Sequence, residues 1–516
     1  MNTNPILRTD YPDPDVIRVG DTYYMISTTM HFMPGGVILR SYDLINWEFA
    51  AYVYDSLDDT PAQCLEGDKF MYGQGMWAAS LRYHKGTFYV CFVANDTHKT
   101  YLYQSEDICG PWRKQYVEGF YHDCSLLFDE DDRVYIVYGN TDIYLTELKE
   151  DLTGPKPGGF HRLIVTEEDK EKVRLGYEGS HIYKINGKYY LFLIHWPADE
   201  AGRRTEACFI SDSLKGEFVG RDILNDDLGF HNCGVAQGGI VDTPEGDWYA
   251  MLFQDHGAVG RIPVLVPMHW EENFPVFGFD GKVPLDLAVK STRLEHLYEP
   301  LEGSDDFYYT PDKAGKIRLK NFWQWNHTPK ELLWSVTEKP GCLRIQTDQL
   351  SRNVVQAVNT LTQRMLIPAC EAYVTVDASH IKEGDYAGIC ALQGCYGLIA
   401  ITKEADQHYL VMLAKEAENA EFYAKPGDRE PGTEFARIPW NSSLVTLKVS
   451  VDFTDGIDEA SFLYQEEDNW VKLGITHKLY FKMDHFVGCR FGLFAYSTKK
   501  IGGAADFSDF IYVKQA

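Results

Sequence analysis

The sequence predicts an all-β protein in which a five-bladed β-propeller is followed by a β-sandwich. A strand–turn–strand motif occurs five times in the first half of the 516-residue chain, and no long stretch keeps the spacing of an amphipathic helix. After about residue 300 the pattern changes to longer strands that alternate apolar and polar residues. The 45% hydrophobic and 14% aromatic content supplies apolar area for more than one core.

The five motif copies share a short strand, a turn that carries Gly or Asp, and a second strand entered through aromatic residues. This is the pattern of β-hairpins. The copies recur roughly every 45 to 65 residues, which is the spacing of four-stranded propeller blades. They begin at Asp13, Ala79, Asp123, Glu178 and Gln237.

Three of the five copies place a carboxylate at the same position, at Asp13, Asp123 and Glu178. Innermost strands of a propeller surround one axis, so we expect these side chains to converge. Inverting glycoside hydrolysis needs one carboxylate that activates water and one carboxylic acid that protonates the leaving oxygen. A third carboxylate can raise the pKa of the acid by repulsion. A solvated turn residue is the alternative reading of any single one of them.

The segments around these carboxylates resemble glycoside hydrolase family 43. The resemblance lies in Asn-Pro-Ile-Leu at residues 4–7, Tyr-Pro-Asp-Pro-Asp-Val at 11–16, His-Asp-Cys-Ser at 122–125 and Tyr-Glu-Gly-Ser at 177–180. It implies that Asp13 is the general base, Asp123 the pKa modulator and Glu178 the general acid.

Two details of this resemblance leave alternatives open. Cys124 and Ser180 stand where the family has proline, but neither change removes a carboxylate. Asp15 competes with Asp13 for the role of base, because strand alternation would turn both to the same side. Only the family pattern favours Asp13.

The resemblance also implies a substrate pocket. Arg261 in Gly-Arg-Ile-Pro matches an arginine that donates to sugar hydroxyls, with a structural salt bridge as the alternative. Trp77 would offer a flat apolar surface to a sugar ring, although tryptophan is also a common core residue. Phe32 is expected to form an aromatic wall. Gln237 stands where many members have a histidine that helps hold an axial metal or its water, and it is expected to shape the substrate pocket instead.

Metal ligands are predicted in two places, although the chemistry itself requires no cofactor. His231 and His256 flank Gln237 and could replace the missing axial ligand, but a lone histidine is more often structural. Calcium is expected in the sandwich by analogy, with hard oxygen ligands from Asp305 or Asp306 and from Asp509.

The predicted division of the chain is a catalytic propeller at 1–295, a linker at 296–303 and an accessory sandwich at 304–516. Motifs such as Ser-Asp-Asp-Phe at 304–307 and Trp-Gln-Trp-Asn-His at 323–327 resemble the concanavalin-like domain of the family's xylosidases and arabinofuranosidases. Such domains in relatives mediate self-association, so a homo-oligomer, either a dimer or a tetramer, is expected.

The implied function is exo-acting, inverting release of terminal pentoses from xylo- and arabinoxylo-oligosaccharides. We expect a β-1,4-xylosidase with α-L-arabinofuranosidase as a second activity. A dedicated α-L-arabinofuranosidase or exo-arabinanase is the alternative. A non-catalytic carbohydrate-binding propeller is less favoured, because it would not need both Asp13 and Glu178 at the axis.

Charge and composition restrict the partners. The formal net charge of −27 repels nucleic acid and anionic membranes and favours a neutral oligosaccharide substrate. The 11 cysteines are odd in number and never form Cys-x-x-Cys, so they indicate buried thiols in a reducing compartment. No secretory signal or membrane span is recognisable, so a cytoplasmic location is expected.

Overall fold

A computed structural model of the chain describes residues 3–167, 170–198, 201–313, 315–416 and 430–515. Strands in these ranges form five four-stranded and two eight-stranded sheets, which confirms the all-β prediction. The helical segments among the described residues are short 3₁₀ turns at Gly257–Val259, Glu331–Leu333, Val354–Gln356 and Thr454–Gly456. No helix in these ranges is long and apolar enough to cross a membrane.

The five four-stranded antiparallel sheets are the blades of a propeller. In each blade the strands bond in chain order, and the first strands of neighbouring blades contact one another in a closed ring. Each motif found in the sequence therefore leads into an innermost strand, as predicted. The strands of blades 1 and 2 are Asp15–Val19, Thr22–Ser27, Gly35–Ser41, Glu48–Tyr54, Ser80–His84, Thr87–Ala94, Lys99–Ser105 and Arg113–Val117. Those of blades 3, 4 and 5 are Ser125–Phe128, Val134–Asn140, Asp142–Glu147, His161–Thr166, Leu175–Ile185, Lys188–Trp196, Thr205–Ser211, Val219–Leu224, Ala236–Asp242, Trp248–Asp255, Arg261–Glu271 and Phe274–Phe277.

Polar contacts join each innermost strand to the next around the axis. The Ser80 hydroxyl accepts from the backbone N–H of Leu126 at 3.1 Å, and the Ser125 hydroxyl accepts from that of Ile182 at 3.1 Å. Gly239 closes the ring by donating its N–H to the carbonyl of Pro14 at 3.1 Å. These bonds satisfy backbone donors that no strand partner reaches, and they fix the angular position of each blade.

The N-terminal segment completes the ring between blades 5 and 1. The Asn4 side chain donates to the carbonyl of Leu265 at 2.8 Å and accepts from its N–H at 3.0 Å. Tyr11 donates its N–H to the carbonyl of Arg261 at 3.0 Å. The segment that carries Asp13 is therefore anchored to blade 5 before it enters blade 1.

The two eight-stranded sheets pack face to face around an apolar core, forming the predicted sandwich. The first sheet consists of Phe32–Met33, Gln324–Asn326, Leu361–Arg364, Arg490–Ser497, Asp385–Leu392, Gly397–Glu404, Gln407–Ala414 and Thr433–Trp440. The second consists of Trp334–Ser335, Leu343–Gln346, Ala504–Gln515, Ala369–Asp377, Leu444–Asp452, Glu459–Glu466, Asn469–Lys472 and His477–Lys478.

The two folds share a strand. Phe32–Met33 comes from blade 1 of the propeller in sequence but pairs with Gln324–Asn326 of the sandwich. The last blade strand ends at Phe277, and the first strand contributed by the C-terminal half begins at Gln324. The sequence-based boundaries at 295 and 304 fall between these points and stay a prediction.

Candidate active site

Asp13 and Asp15 lie two residues apart but occupy different environments. Asp15 is fully buried on the propeller axis, where it accepts from the N–H of Leu81 at 2.7 Å and pairs with Arg82 at 2.6 Å. Burial opposes ionisation of Asp15, but Arg82 and His181 hold its pKa below the usual value. Asp15 is therefore a structural carboxylate with no capacity left for a substrate.

Asp13 precedes the first strand of blade 1 and has a φ of 52°. Because this left-handed residue lies outside the strand, the alternation that was expected to place Asp13 and Asp15 on one side does not apply. An Asp13 oxygen instead lies 2.8 Å from Nη1 of Arg261. This contact holds the Asp13 carboxyl group in place beside a guanidinium.

Arg261 is 3% exposed, yet its Nε and Nη2 atoms have no protein partner. The ring of Phe486, from the sandwich, lies 4.2 Å from the centre of the guanidinium. Unpaired buried donors carry a desolvation cost of about 1–3 kcal/mol, so hydroxyl acceptors on a ligand would be stabilising here. Arg261 thus forms the salt bridge that was its alternative reading, and its role as a sugar-binding arginine stays a prediction.

Asp123 and the preceding His122 form the second part of the site. Burial, opposed by His122 and reinforced by Glu178 and Asp13, raises the pKa of Asp123 to about 7. Nε2 of His122 lies 3.7 Å from Asp123 and 3.6 Å from Glu178. Burial alone would lower the pKa of His122, but these two carboxylates raise it to about 9. A cation therefore stands between the two carboxyl groups at neutral pH.

Glu178 lies in the innermost strand of blade 4, where the pairing with the next strand is irregular on both sides of it. Such irregularities redirect side chains. Its side chain is 18% exposed, more than the Asp13 side chain at 8% or the Asp123 side chain at 6%. The Asn140 amide donates to the Glu178 carboxylate and fixes its orientation. Glu178 is thus the carboxyl group that a ligand can best reach.

Gln237 forms the wall next to Glu178. A Cβ placed on Gly179 would lie 2.7 Å from the Gln237 side chain, and Gly179 has a φ of +64°, so this irregular point of the strand favours glycine. Gln237 itself has a φ of 59°, and its N–H donates to the buried Glu206 at 2.7 Å. Burial raises the pKa of Glu206 well above its usual value.

The two predicted aromatic residues differ in placement. Trp77 is half-buried, and its ring centre lies 5.8 Å from that of His122 and 5.6 Å from that of Phe486. It therefore borders the carboxylates as expected. Phe32 is 1% exposed, and the Arg490 guanidinium lies 3.4 Å from its ring centre. Its strand has joined the sandwich sheet, and Phe32 packs in one cluster with Phe486 and Trp77, so it is a buried support of the site and its role as a pocket wall stays a prediction.

The predicted axial metal ligands do not assemble. His231 is exposed, whereas His256 is buried, stacks on Phe230 at 4.1 Å and shares a 2.9 Å hydrogen bond with Gln254. Burial lowers the pKa of His256 to about 4. Within the described ranges, the group with metal-ligand spacing is instead His122, Asp123 and Glu178.

The predicted calcium ligands in the sandwich gain no support either. Asp305 accepts from the N–H of Phe307 at 2.9 Å and the indole N–H of Trp323 at 2.7 Å, and it pairs with Lys320 at 3.2 Å. These donors, one of them a cation, compete with a metal ion. Asp306 and Asp509 are exposed, and neither belongs to a group with metal-ligand spacing in the part of the chain that the structure describes.

Sequence reasoning missed His122 and Asn140. The available signal for His122 was its position next to Asp123. Asn140 ends a strand of blade 3, and only the folded propeller brings it to Glu178 of blade 4.

Comparison with known proteins gives two family matches. Residues 2–275 match the family model described as glycosyl hydrolases family 43. Residues 316–513 match the model described as beta xylosidase C-terminal concanavalin A-like domain.

Individual relatives agree with these matches. A beta-xylosidase of Formosa agariphila is 28% identical, over 99% of this chain and 90% of that protein. A non-reducing end alpha-L-arabinofuranosidase of Bacteroides ovatus is 27% identical, over 66% of this chain and 64% of that protein. The solved structure of a bifunctional GH43-CE protein of Bacteroides eggerthii is 41% identical with a TM-score of 0.90. The alignment covers 100% of this chain but 64% of the Bacteroides eggerthii protein, so the chain spans less than two thirds of that protein's length.

Replacement of Asp15 by asparagine tests its assignment as a structural residue. The change leaves the Arg82 guanidinium buried without its counter-charge, so we expect the free energy of unfolding to fall by about 3–5 kcal/mol. Denaturant unfolding of Asp15→Asn measures this loss. The matched control is Asp21→Asn, which breaks a half-exposed pair with Arg293 and should cost about 0–1 kcal/mol. Equal stability of the two variants would contradict the assignment.

Proposed function

Because this chain belongs to glycosyl hydrolase family 43, we propose that it is an exo-acting, inverting glycosidase that releases terminal pentoses from xylo- and arabinoxylo-oligosaccharides. The observation that carries the proposal is the assembly of Asp13, Asp123 and Glu178 in one site with Arg261 and His122. The family assignment supports chemistry without a cofactor. A calcium ion in the sandwich and a homo-oligomer remain predictions.

The environments of the carboxylates suggest a division of roles. Asp13, paired with Arg261, is suited to accept a proton from the attacking water. Glu178, the most exposed of the three, is suited to protonate the leaving oxygen. Asp123 lies beside Glu178 without being accessible to the substrate, so it acts through the charge and protonation of its neighbour.

The proton needed for catalysis is held in the pair formed by Asp123 and Glu178. Burial and the neighbouring carboxylates raise the pKa of Asp123 to about 7, so this carboxyl group is partly protonated near neutral pH. A partly protonated carboxyl group therefore lies beside Glu178, from which the reaction requires a proton.

The names of the relatives guide the substrate assignment. The beta-xylosidase aligns along almost the whole chain, whereas the arabinofuranosidase aligns along two thirds of it. We therefore place β-xylosidase activity first and α-L-arabinofuranosidase activity second. A dedicated arabinofuranosidase or exo-arabinanase is the remaining candidate.

Rates on the two nitrophenyl pentosides decide between these substrates. We expect kcat/KM for the β-xyloside to exceed that for the α-L-arabinofuranoside, with both measurable. NMR of the first product formed from the β-xyloside should show the inverted, α-configured sugar. A large preference for the arabinoside would reverse the order of activities, and a retained configuration would exclude the inverting mechanism.

Glu178→Gln separates the acid from the other carboxylates. On xylobiose we expect kcat to fall by about 10²–10⁴-fold, since the leaving sugar needs a proton. The loss should be much smaller on nitrophenyl xyloside, because nitrophenolate leaves without full protonation. Asp13→Asn should instead lose activity on both substrates. Glu118→Gln, at a side chain that is 78% exposed, is the control and should match the unmodified enzyme. Unchanged turnover of xylobiose by Glu178→Gln would refute the proposal.

His122→Asn tests the charge between the carboxyl groups. The imidazolium stabilises ionised Asp123, so its removal raises the pKa of Asp123 above about 7. The active form keeps a proton on the pair formed by Asp123 and Glu178. The pKa that limits kcat/KM on the alkaline side should therefore rise by about one unit, which is equivalent to about 1.4 kcal/mol. The pH profile on xylobiose, whose leaving sugar needs a proton, measures the shift. A profile that stays in place or moves to lower pH would contradict this reading, and a change in KM alone would indicate only a substrate contact.

A further inference from the structure

A large cleft lies on the outer side of the propeller, away from the axis. It has a cavity volume of about 780 Å³ and lies between the outermost strand of blade 1, Glu48–Tyr54, and residues 315–337 of the C-terminal half. That strand is three strand positions from the innermost strand of the blade, a separation of roughly 14 Å at the spacing of neighbouring strands. The cleft is therefore separate from the carboxylates, and its size is that of a small-molecule binding site.

Aromatic side chains line both walls of this cleft. On one wall, Phe49 and Tyr52 are half-buried, with ring centres 4.8 Å apart. On the other, the half-buried Trp334 packs against Trp325 with ring centres 5.0 Å apart. The Tyr52 hydroxyl donates to the carbonyl of Asn321 at 2.8 Å and ties the walls together. Half-buried rings in a preformed cleft offer flat apolar surface to the C–H faces of sugar rings.

The basic groups of the cleft have acidic partners within the protein. Lys316 pairs with Asp55 across the cleft at 2.8 Å, Lys320 with Asp305 at 3.2 Å, and Arg318 approaches Asp312 at 3.9 Å. Burial raises the pKa of the nearby Glu331. Such a lining presents hydrogen-bonding groups but little unpaired charge, which favours a neutral polyhydroxylated ligand over an anion or a cation.

We propose that this cleft is a second carbohydrate-binding site, which holds a segment of a neutral pentose polymer of the xylan type outside the catalytic centre. The choice of a pentose polymer rests on the proposed function, whereas the choice of a neutral sugar chain rests on the aromatic walls and the paired charges. Binding there keeps the enzyme on its substrate between reactions and raises the local concentration of chain ends.

The cleft contains a chemical handle for a test. Cys109 lines it and is exposed, whereas the other cysteines of the described ranges are buried or half-buried. A bulky maleimide on Cys109 should fill the cleft without altering the fold. Cys109→Ser treated with the same reagent is the matched control.

Affinity electrophoresis in gels that contain soluble xylan measures the binding. All proteins carry Glu178→Gln, so that the polymer is not degraded. We expect xylan to retard the parent protein, and the apparent affinity to fall by about tenfold in Trp334→Ala and in the maleimide-labelled protein. The treated Cys109→Ser protein should keep the parent affinity. Gels that contain a neutral glucan should retard none of the proteins.

The outcomes separate this proposal from the catalytic one. Equal retardation of the parent, Trp334→Ala and labelled proteins, or no retardation of any of them, overturns the second site. Equal retardation by the glucan overturns its selectivity for pentose chains.

Trp334→Ala with a native Glu178 should hydrolyse nitrophenyl xyloside within about twofold of the unmodified enzyme. If that variant is unstable, the labelled protein alone decides. Lack of hydrolysis by the unmodified enzyme would refute the proposed function but leave the binding result intact.

Discussion

The ion pair between Asp15 and Arg82 on the propeller axis is the contact on which the rest of the structure depends. Arg82, of blade 2, donates to Asp15 of blade 1 at 2.6 Å. In blade 3 it donates to the Ser125 hydroxyl at 2.6 Å and to the Leu126 carbonyl at 2.9 Å. It also reaches the Ile182 carbonyl of blade 4 at 3.5 Å. One buried guanidinium therefore holds four blades in register. Breaking a buried ion pair leaves an uncompensated charge, so this contact strongly favours the observed arrangement of the blades.

This centre also determines where the reactive carboxylates stand. Asp13 lies two residues before Asp15, and Glu178 lies three residues before His181, which contacts Asp15 at 3.2 Å. The groups proposed for catalysis are thus extensions of strands fixed at the axis. Although the protein has a net charge of −27, each of these carboxylates has a cationic side chain nearby. Arg261 lies beside Asp13, and His122 lies beside Asp123 and Glu178. Each reactive carboxylate therefore has a counter-charge within its own site.

The sequence predicted the blades well because hairpins and turns are local and repeat with a fixed period. The shared position of Asp13, Asp123 and Glu178 within the repeated motif predicted that they are neighbours. It could not separate Asp13 from Asp15, since that difference comes from a left-handed residue at the strand entry and from Arg82 of another blade. The burial of Phe32 had no local signal, because it follows from a strand that leaves the propeller and pairs with residues almost 300 positions later.

The sandwich is part of the site and not an independent appendage. Asp10, next to the catalytic segment, accepts from the N–H of Arg261 at 2.8 Å and from that of Gly488 in the sandwich at 2.9 Å. The adjacent Phe486 covers the Arg261 guanidinium and contacts Trp77. Without the sandwich, water would reach Arg261 and screen its pairing with Asp13. The propeller supplies the reacting groups, but the low-dielectric environment that makes their charges effective comes from both halves of the chain.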